Sequence, residues 1–273
     1  MHAPRAFDII EPELLMLAYR SGIFPMADSR EDPEIFWVEP RLRAILPLDG
    51  FHLSRSLARS LRRGRFTITC NLAFSQVMDE CAAPRAVTEP TEDGEEGEEG
   101  RSWISHRIQA SYETLHDLGY AHSIECWLNS ADGSGRQLVG GLYGVGFDRA
   151  FCGESMFSRV PDASKVALAW LVAALRRGGG MLLDCQFITP HLATLGAEEI
   201  SQKRYLTLLR RAQFSAPPAA GAADGVAAGA GVGVGVDPLA LPEAFAALLD
   251  DAASAGSASS PGKFIAQALT HTS

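Results

Sequence analysis

Between Glu11 and Ser21 apolar residues return every three or four positions, which predicts a helix stopped by Gly22 and Pro25. The same spacing at Leu53, Leu57 and Leu61 predicts a helix over Leu53–Arg63 with Ser54 as its cap. Further helices are predicted over Leu72–Cys81, Ile104–Leu118, Ala163–Arg177 and Ser201–Arg211. Gly119 ends the second of these and Gly178–Gly180 the third. Short β-branched and aromatic runs predict strands over Phe66–Thr69, His122–Leu128, Gln137–Val145 and Ala150–Met156, and a buried strand over Met181–Phe187. From Ile104 onward the order is helix, three strands, helix, strand, helix, which predicts a compact mixed α/β unit.

Two stretches break this pattern. Thr88–Gly100 has no apolar residue beyond its proline and carries seven acids with no base, so it reads as a disordered acidic loop. From Ser215 the chain turns Ala/Gly-rich, with too few large side chains for a core, and reads as a linker. Pro242–Ala252 is a short helix candidate beyond it, followed by an apolar-spaced KFIAQAL. The expected division is an N-terminal domain over 1–87, the loop over 88–100, a second ordered domain over 101–214, and a linker and tail over 215–273. No internal repeat is visible.

The chain has 273 residues, of which 47% are hydrophobic and 21% charged, the balance of a soluble globular protein. No window approaches the roughly 18 consecutive apolar residues of a membrane span. The N-terminus offers no apolar run of the kind a secretory signal needs, so neither a membrane nor an export route is expected. Cys70, Cys81, Cys126, Cys152 and Cys185 are odd in number and lack CxxC spacing, which fits a reducing cytoplasm rather than a disulfide framework or a zinc site. The net charge of −9 argues against an anionic partner only at first sight. The acidic loop and the tail hold more than all of that excess, and the remainder of the chain is at +2.

Candidate chemistry lies in three places. No acid interrupts His52–Arg65, and Arg55, Arg59, Arg62 and Arg63 fall opposite the leucine stripe, with Arg65 following. Such a row is either a solvated helix face or a set of forked donors for phosphate oxygens. In MLLDCQF the side chains alternate, so Asp184 and Gln186 share one face and Leu183, Cys185 and Phe187 the other. Two polar groups in an apolar strand need partners, because unpaired burial costs ~1–3 kcal/mol, and a structural network or a reaction centre would supply them. Glu154 is a third embedded polar group, with a salt bridge to Arg159 or Lys165 as its plain structural reading.

Other motifs carry less. Gly140–Gly146 (GGLYGVG) is not GxGxxG and marks a bulge or a close backbone approach. His106, His116, His122 and His191 show no metal-ligand spacing and read as structural, while Cys152 and Cys185 read as small buried hydrophobes. No GxSxG, HExxH or P-loop occurs.

A series of ordered motifs points further. Gly22-Ile-Phe-Pro25, Phe36-Trp37 with Pro40-Arg41, and Phe51-His-Leu-Ser-Arg-Ser56 come first. Cys81-Ala82 with Pro84-Arg85, Trp103-Ile104, and Leu115-His116 with Gly119-Tyr-Ala-His-Ser-Ile-Glu125 follow. Leu138-Val-Gly-Gly-Leu-Tyr-Gly-Val145, Phe151-Cys-Gly-Glu-Ser-Met-Phe-Ser158 and Ala163-Ser-Lys165 come next, before Asp184-Cys-Gln186, His191-Leu192 and Leu195-Gly-Ala197. Over about residues 11–211 this resembles the leucyl/phenylalanyl-tRNA–protein transferases.

The resemblance implies a small N-terminal domain and a C-terminal domain similar to the GNAT N-acetyltransferases, working without a metal or diffusible cofactor. It implies transfer of Leu or Phe, or Met, from Leu-tRNA, Phe-tRNA or Met-tRNA to the α-amine of a protein beginning with Lys or Arg. The product enters degradation by the N-end rule. Carried over, Gln186 with support from Asp184 would draw the proton from the α-ammonium, Glu154 would hold the cationic acceptor, and Trp103 would bound the adenosine end of the tRNA. Leu142, Phe151, Leu171 and Leu183 would form the donor side-chain pocket, and Arg55, Arg59, Arg62 and Arg63 would contact the acceptor stem. A neutral amide is a weak base, so Gln186 is read mainly as a hydrogen-bonding positioner, with substrate-assisted proton transfer as the alternative. The chain departs from the family at Met26 and at Phe36-Trp37-Val38-Glu39-Pro40, where tryptophan-richer motifs are usual, so contacts at the terminal nucleotide differ. An acyl-CoA transferase of similar fold would need a glycine-rich turn before a helix, whereas Gly178–Gly180 follows one. The embedded polar groups argue against a purely tRNA-binding module.

Overall fold

The computed structural model describes residues 8–84, 102–130, 135–214, 239–255 and 260–270. The expected acidic loop and Ala/Gly-rich linker lie outside these residues, apart from the last part of the tail. α1 (Pro12–Arg20) starts with proline in its first turn and leads into β1 (Phe24–Met26) and β2 (Phe36–Val38), a two-stranded antiparallel sheet. β3 (Leu42–Ile45) and a single 3-10 turn (Leu48–Gly50) precede α2 (Arg55–Arg63). Ser54 caps α2 by accepting from the Leu57 N–H. β4 (Thr67–Cys70), α3 (Phe74–Ala82), α4 (His106–Asp117), β5 (Ala121–Asn129), β6 (Arg136–Phe147) and β7 (Ala150–Ser158) follow. The chain continues through α5 (Ala163–Arg177), β8 (Leu182–Gln186), α6 (Pro190–Thr194), β9 (Glu198–Ser201) and α7 (Gln202–Phe214), with α8 (Leu241–Ser254) and α9 (Pro261–Thr270) last.

Seven strands form one sheet in the order β4-β5-β6-β7-β8-β3-β9. Every pairing is antiparallel except β7 with β8, which α5 joins as the crossover a parallel pair requires. Each face of the sheet has its own core. On one side α2, α5, α8 and α9 supply Leu57, Leu61, Trp170, Leu171, Phe245 and Ile265 among others. On the other, α1, α3, α4 and α7 supply Leu15, Tyr19, Met78, Tyr112 and Tyr205. The fold is thus mixed α/β, a small N-terminal piece ahead of a larger mixed-sheet domain. No helix among the described residues is long and apolar enough to cross a membrane.

Two expectations need correction. The sheet draws β3 and β4 from before residue 87, so the N-terminal domain expected over 1–87 does not stand apart: only the part through β2 pairs outside the large sheet. These strands have four residues each and pair with partners far along the chain, which no local pattern reports. The tail, read as a linker with a helix candidate at Pro242–Ala252, has that helix as α8, but α8 and α9 also join the core, burying Leu241, Phe245, Leu248, Ile265 and Leu269 against α2 and α5. Gly262 makes that packing close, since a Cβ there would run into the Leu61 carbonyl. The glycine run in β6 is both a bulge and a close approach: the register with β7 shifts between Tyr143 and Gly144, and a Cβ on Gly144 would meet the Cys152 carbonyl. β1, β2, β3, α6 and β9 are additional to the predicted elements.

Candidate active site

β7 and β8 pair over only three residues, Ala150, Phe151 and Cys152 against Leu182, Leu183 and Asp184, after which both strands run on unpaired with each other. At that point each departs from regular geometry. Tyr143 of β6 faces Ser155 and Gly144 faces Gly153, so Glu154 is an extra residue bulged out of β7. On β8, Ala44 faces Gln186 and Ile45 faces Asp184, so Cys185 is the extra residue and the chain turns at Gln186. Gln186 has φ +62° and the Phe187 N–H donates to the Cys185 carbonyl at 2.7 Å, the bond pattern of the strained γ-turn of positive φ. Such strain at a side chain other than glycine persists only where the surroundings over-determine it.

Asp184 does much of that. Its Oδ1 accepts from the Gln186 N–H at 2.8 Å and from Arg43 Nε at 2.9 Å. Its Oδ2 accepts from Arg43 Nη2 at 2.6 Å and from the Tyr205 hydroxyl at 2.8 Å. Arg43 and Asp184 are 1% and 0% exposed, and the guanidinium lies between the rings of Phe24 and Tyr205, 4.7 and 4.5 Å from their centres. Burial alone would lower the Arg43 pKa, but the Asp184 carboxylate outweighs it and holds it above its ordinary value. The remaining donor, Nη1, reaches the Gly22 carbonyl at 3.0 Å.

Glu154 has no such cation. Its Oε1 accepts from the Tyr19 hydroxyl at 2.7 Å and from Gln186 Nε2 at 2.9 Å, while Oε2 meets the Tyr112 hydroxyl at 3.4 Å. The hydroxyls of Tyr19 and Tyr112 also touch each other. Burial pushes the Glu154 carboxyl up to about 7, opposed by the bonds from Tyr19 and Gln186, reinforced by the Asp184 charge and eased by Arg43. Burial, followed by the Glu154 charge, raises both tyrosines well above their ordinary value. The ion pair expected from Glu154 to Arg159 or Lys165 is not formed: Arg159 is bound by Glu80 instead, and Glu154 turns inward to neutral donors.

The structure therefore joins Asp184, Gln186 and Glu154 in one network, together with Arg43, Tyr19, Tyr112 and Tyr205, which pattern reading missed. Arg43 had a signal: it is a lone charge in the apolar run Leu42–Leu46, and an embedded Asp184 calls for a cation. The tyrosines had none, since they occupy ordinary core positions of their helices.

The other expected residues sit elsewhere. Leu142, Phe151, Leu171 and Leu183 come together in the core on the α5 side, while Asp184 and Glu154 meet partners on the α1 and α7 side. Met156 and Cys185, flanking the split between β7 and β8, pack against the same α5-side core. Arg55, Arg59, Arg62 and Arg63 are exposed on α2, pair with no acid among the described residues, and line an open hollow of about 510 Å³ with Leu53, Ala58 and Thr270. Trp103 is half-buried before α4, packed against the α1 and α4 side. Among the histidines, His116 stacks on Phe74 and bonds the Ala121 carbonyl, and His122 bonds Asn71, with burial lowering it to about 4. Burial raises the thiols of Cys152 and Cys185 above their ordinary value, leaving them in the unreactive protonated form.

Comparison with known proteins gives this arrangement a family. Residues 45–210 match a family model described as leucyl/phenylalanyl-tRNA protein transferase, and residues 8–41 match the model of that transferase's N-terminal domain. The chain is 62% identical over 275 residues to the leucyl/phenylalanyl-tRNA–protein transferase of Novosphingobium aromaticivorans, with 97% of each chain covered. It is 57% identical over 208 residues to the protein of that name from Zymomonas mobilis, covering 76% of this chain and 71% of the relative. The corresponding protein of Rhizorhabdus wittichii is 53% identical over 216 residues, covering 79% of this chain and 80% of the relative. With both parts of the chain matched and near-complete coverage at that identity, the chain belongs to the leucyl/phenylalanyl-tRNA–protein transferase family of aminoacyltransferases.

Proposed function

We propose that this chain moves Leu or Phe, and also Met, from aminoacyl-tRNA to the α-amine of proteins that begin with Lys or Arg, marking them for degradation by the N-end rule. The observation that carries the reading is the hydrogen bond from Gln186 to Glu154 across the place where β7 and β8 part. There a polar network on one side of the sheet comes next to an apolar core on the other. An apolar donor side chain would lodge toward Leu142, Phe151, Leu171 and Leu183, and a cationic acceptor would approach Glu154 from the opposite side.

The donor ester is already activated, so the reaction needs positioning and proton transfer and calls on no metal or diffusible cofactor. Gln186 would orient the acceptor amine through its side-chain amide. Asp184, wholly buried and fully bonded, is a positioning residue that acts through the turn at Gln186. Trp103 would border the terminal adenosine. The four arginines of α2, on the same side of the sheet as the apolar cluster, would meet tRNA phosphates with forked donors that pair with no acid among the described residues.

Labelled Leu presented as Leu-tRNA tests this with two peptides, one beginning with Arg and one with Ala. Labelling of the Arg peptide alone is expected. Labelling of neither, with Phe-tRNA and Met-tRNA also inert, would overturn the transferase reading. Labelling of both would overturn the acceptor rule alone.

A further inference from the structure

The two buried carboxylates of the site differ in how much proton-accepting capacity they have left. Asp184 takes hydrogen bonds at both oxygens from a backbone N–H, a tyrosine and a bidentate guanidinium, and is 0% exposed. Glu154 is 9% exposed and Gln186 6%, so these two, not Asp184, meet whatever enters the split. At Glu154, Tyr19 and Tyr112 have two hydroxyl protons for three oxygen–oxygen contacts. With the Tyr19 proton on Oε1, the one remaining hydroxyl proton, that of Tyr112, serves both Tyr19 and Oε2, and Oε2 receives it only across a long contact of 3.4 Å.

We propose that Glu154, through Oε2, is the group that takes the proton from the acceptor's α-ammonium, while Gln186 holds the nitrogen and Asp184 holds the turn at Gln186. This rests on the transferase reading above. The carboxyl's value of about 7 suits the task, because a base poised near the working pH combines ionisation with proton affinity. The groups that set it face Glu154 from every neighbouring element: Tyr19 of α1, Tyr112 of α4, Tyr143 of β6, Cys152 of β7, Asp184 and Gln186 of β8, and Arg43 of β3. Arg43 is the one cation in this set, and it is spent on Asp184.

An N–H proton of the ammonium passes to Oε2, and its bonding pair becomes the amine lone pair. That pair forms the C–N bond to the ester carbonyl carbon, and the carbonyl π pair moves onto oxygen. As it returns, the bond to the ribose oxygen breaks with its pair. The departing oxygen takes a second proton from the attacking nitrogen, leaving a neutral amide and a free ribose hydroxyl. Protonated Glu154 then gives its proton to water, one proton being released per turnover.

The test is the pH dependence of kcat/KM for the acceptor with saturating Leu-tRNA, for the wild type and for Glu154→Gln, using two Arg-initiated acceptors of different α-amine pKa. The wild type is expected to lose rate as pH falls through about 7 with either acceptor. Glu154→Gln is expected to lose about 10²- to 10⁴-fold at neutral pH, the range of general-base contributions. Its limb should move up to the ionisation of the acceptor amine, ~8, and follow whichever acceptor is used. Tyr19→Phe, which keeps the carboxylate but removes a donor to it, should move the wild-type limb to higher pH. A Glu154→Gln enzyme whose rate falls by one factor at all pH values, or only through a higher KM for the acceptor, would overturn the proposal and leave Glu154 a binding group. A wild type inert with every donor would overturn the transferase reading as well.

Discussion

Asp184 and Glu154 are carboxylates of adjacent strands, and their neighbours assign them opposite physical roles. Asp184 belongs to a buried ion pair with Arg43, whose loss leaves one charge stranded. Arg43→Met should therefore lower stability by ~3–5 kcal/mol, read from urea unfolding, and Asp184→Leu added to it should restore part of the loss. Glu154 is uncompensated, and its pKa of about 7 lies above the ordinary 4.5. Between those values the folded state keeps a proton that the unfolded chain has lost. Its stabilising contribution is thus complete below the ordinary carboxyl range and is lost as pH rises through about 7. Glu154→Gln should remove that slope, on the order of 3 kcal/mol between pH 5 and pH 8. Equal pH dependence of the urea midpoints in the two proteins would show that the carboxyl is not raised.

At the scale of elements, the helices of the tail hold the arginine helix in place. Gly262 of α9 lets the two backbones touch at Leu61, while Arg177 pairs with Asp251 and Trp170 packs on Phe245 to fix α8 on α5. Gly262→Val should push α9 off α2 and cost ~1–3 kcal/mol, visible as a lower melting temperature. The arginines themselves are exposed, so replacing Arg55, Arg59 and Arg62 by Gln should leave melting nearly unchanged. On the proposed reading it weakens tRNA binding and flattens the salt dependence of the affinity. An unchanged salt slope would make this face a solvated surface only. Elements of this size were readable in the chain: α2, α4, α5 and β5 to β8 all lie where apolar spacing put them, because each buries a face long enough to impose a period. β1, β2, β3 and β9 were not, since in so few residues no period develops and their pairing is set by partners elsewhere in the chain; β4, equally short, was legible only through its β-branched and aromatic run Phe66–Thr69.

For the whole molecule, what positions the site is the failure of β7 and β8 to stay paired, and that feature has no local signature. A bulge at Glu154 and a left-handed residue at Gln186 follow from strands converging from far along the chain. Asp184, Gln186 and Glu154 stood out as polar residues in apolar strands, but their connection did not. It runs through Arg43, 141 residues from Asp184, and Tyr19, 135 residues from Glu154. On the proposed reading, the split gives the donor and the acceptor separate sides of one sheet, with Gln186 where the two meet. The most direct measurement of this account is transfer of labelled Phe from Phe-tRNA to an Arg-initiated peptide by the wild type and by Gln186→Ala, with melting curves for both. Labelling by the wild type is expected, with a loss of about a hundredfold or more in the variant at nearly unchanged melting temperature. A variant that melts like the wild type and labels as fast would contradict it.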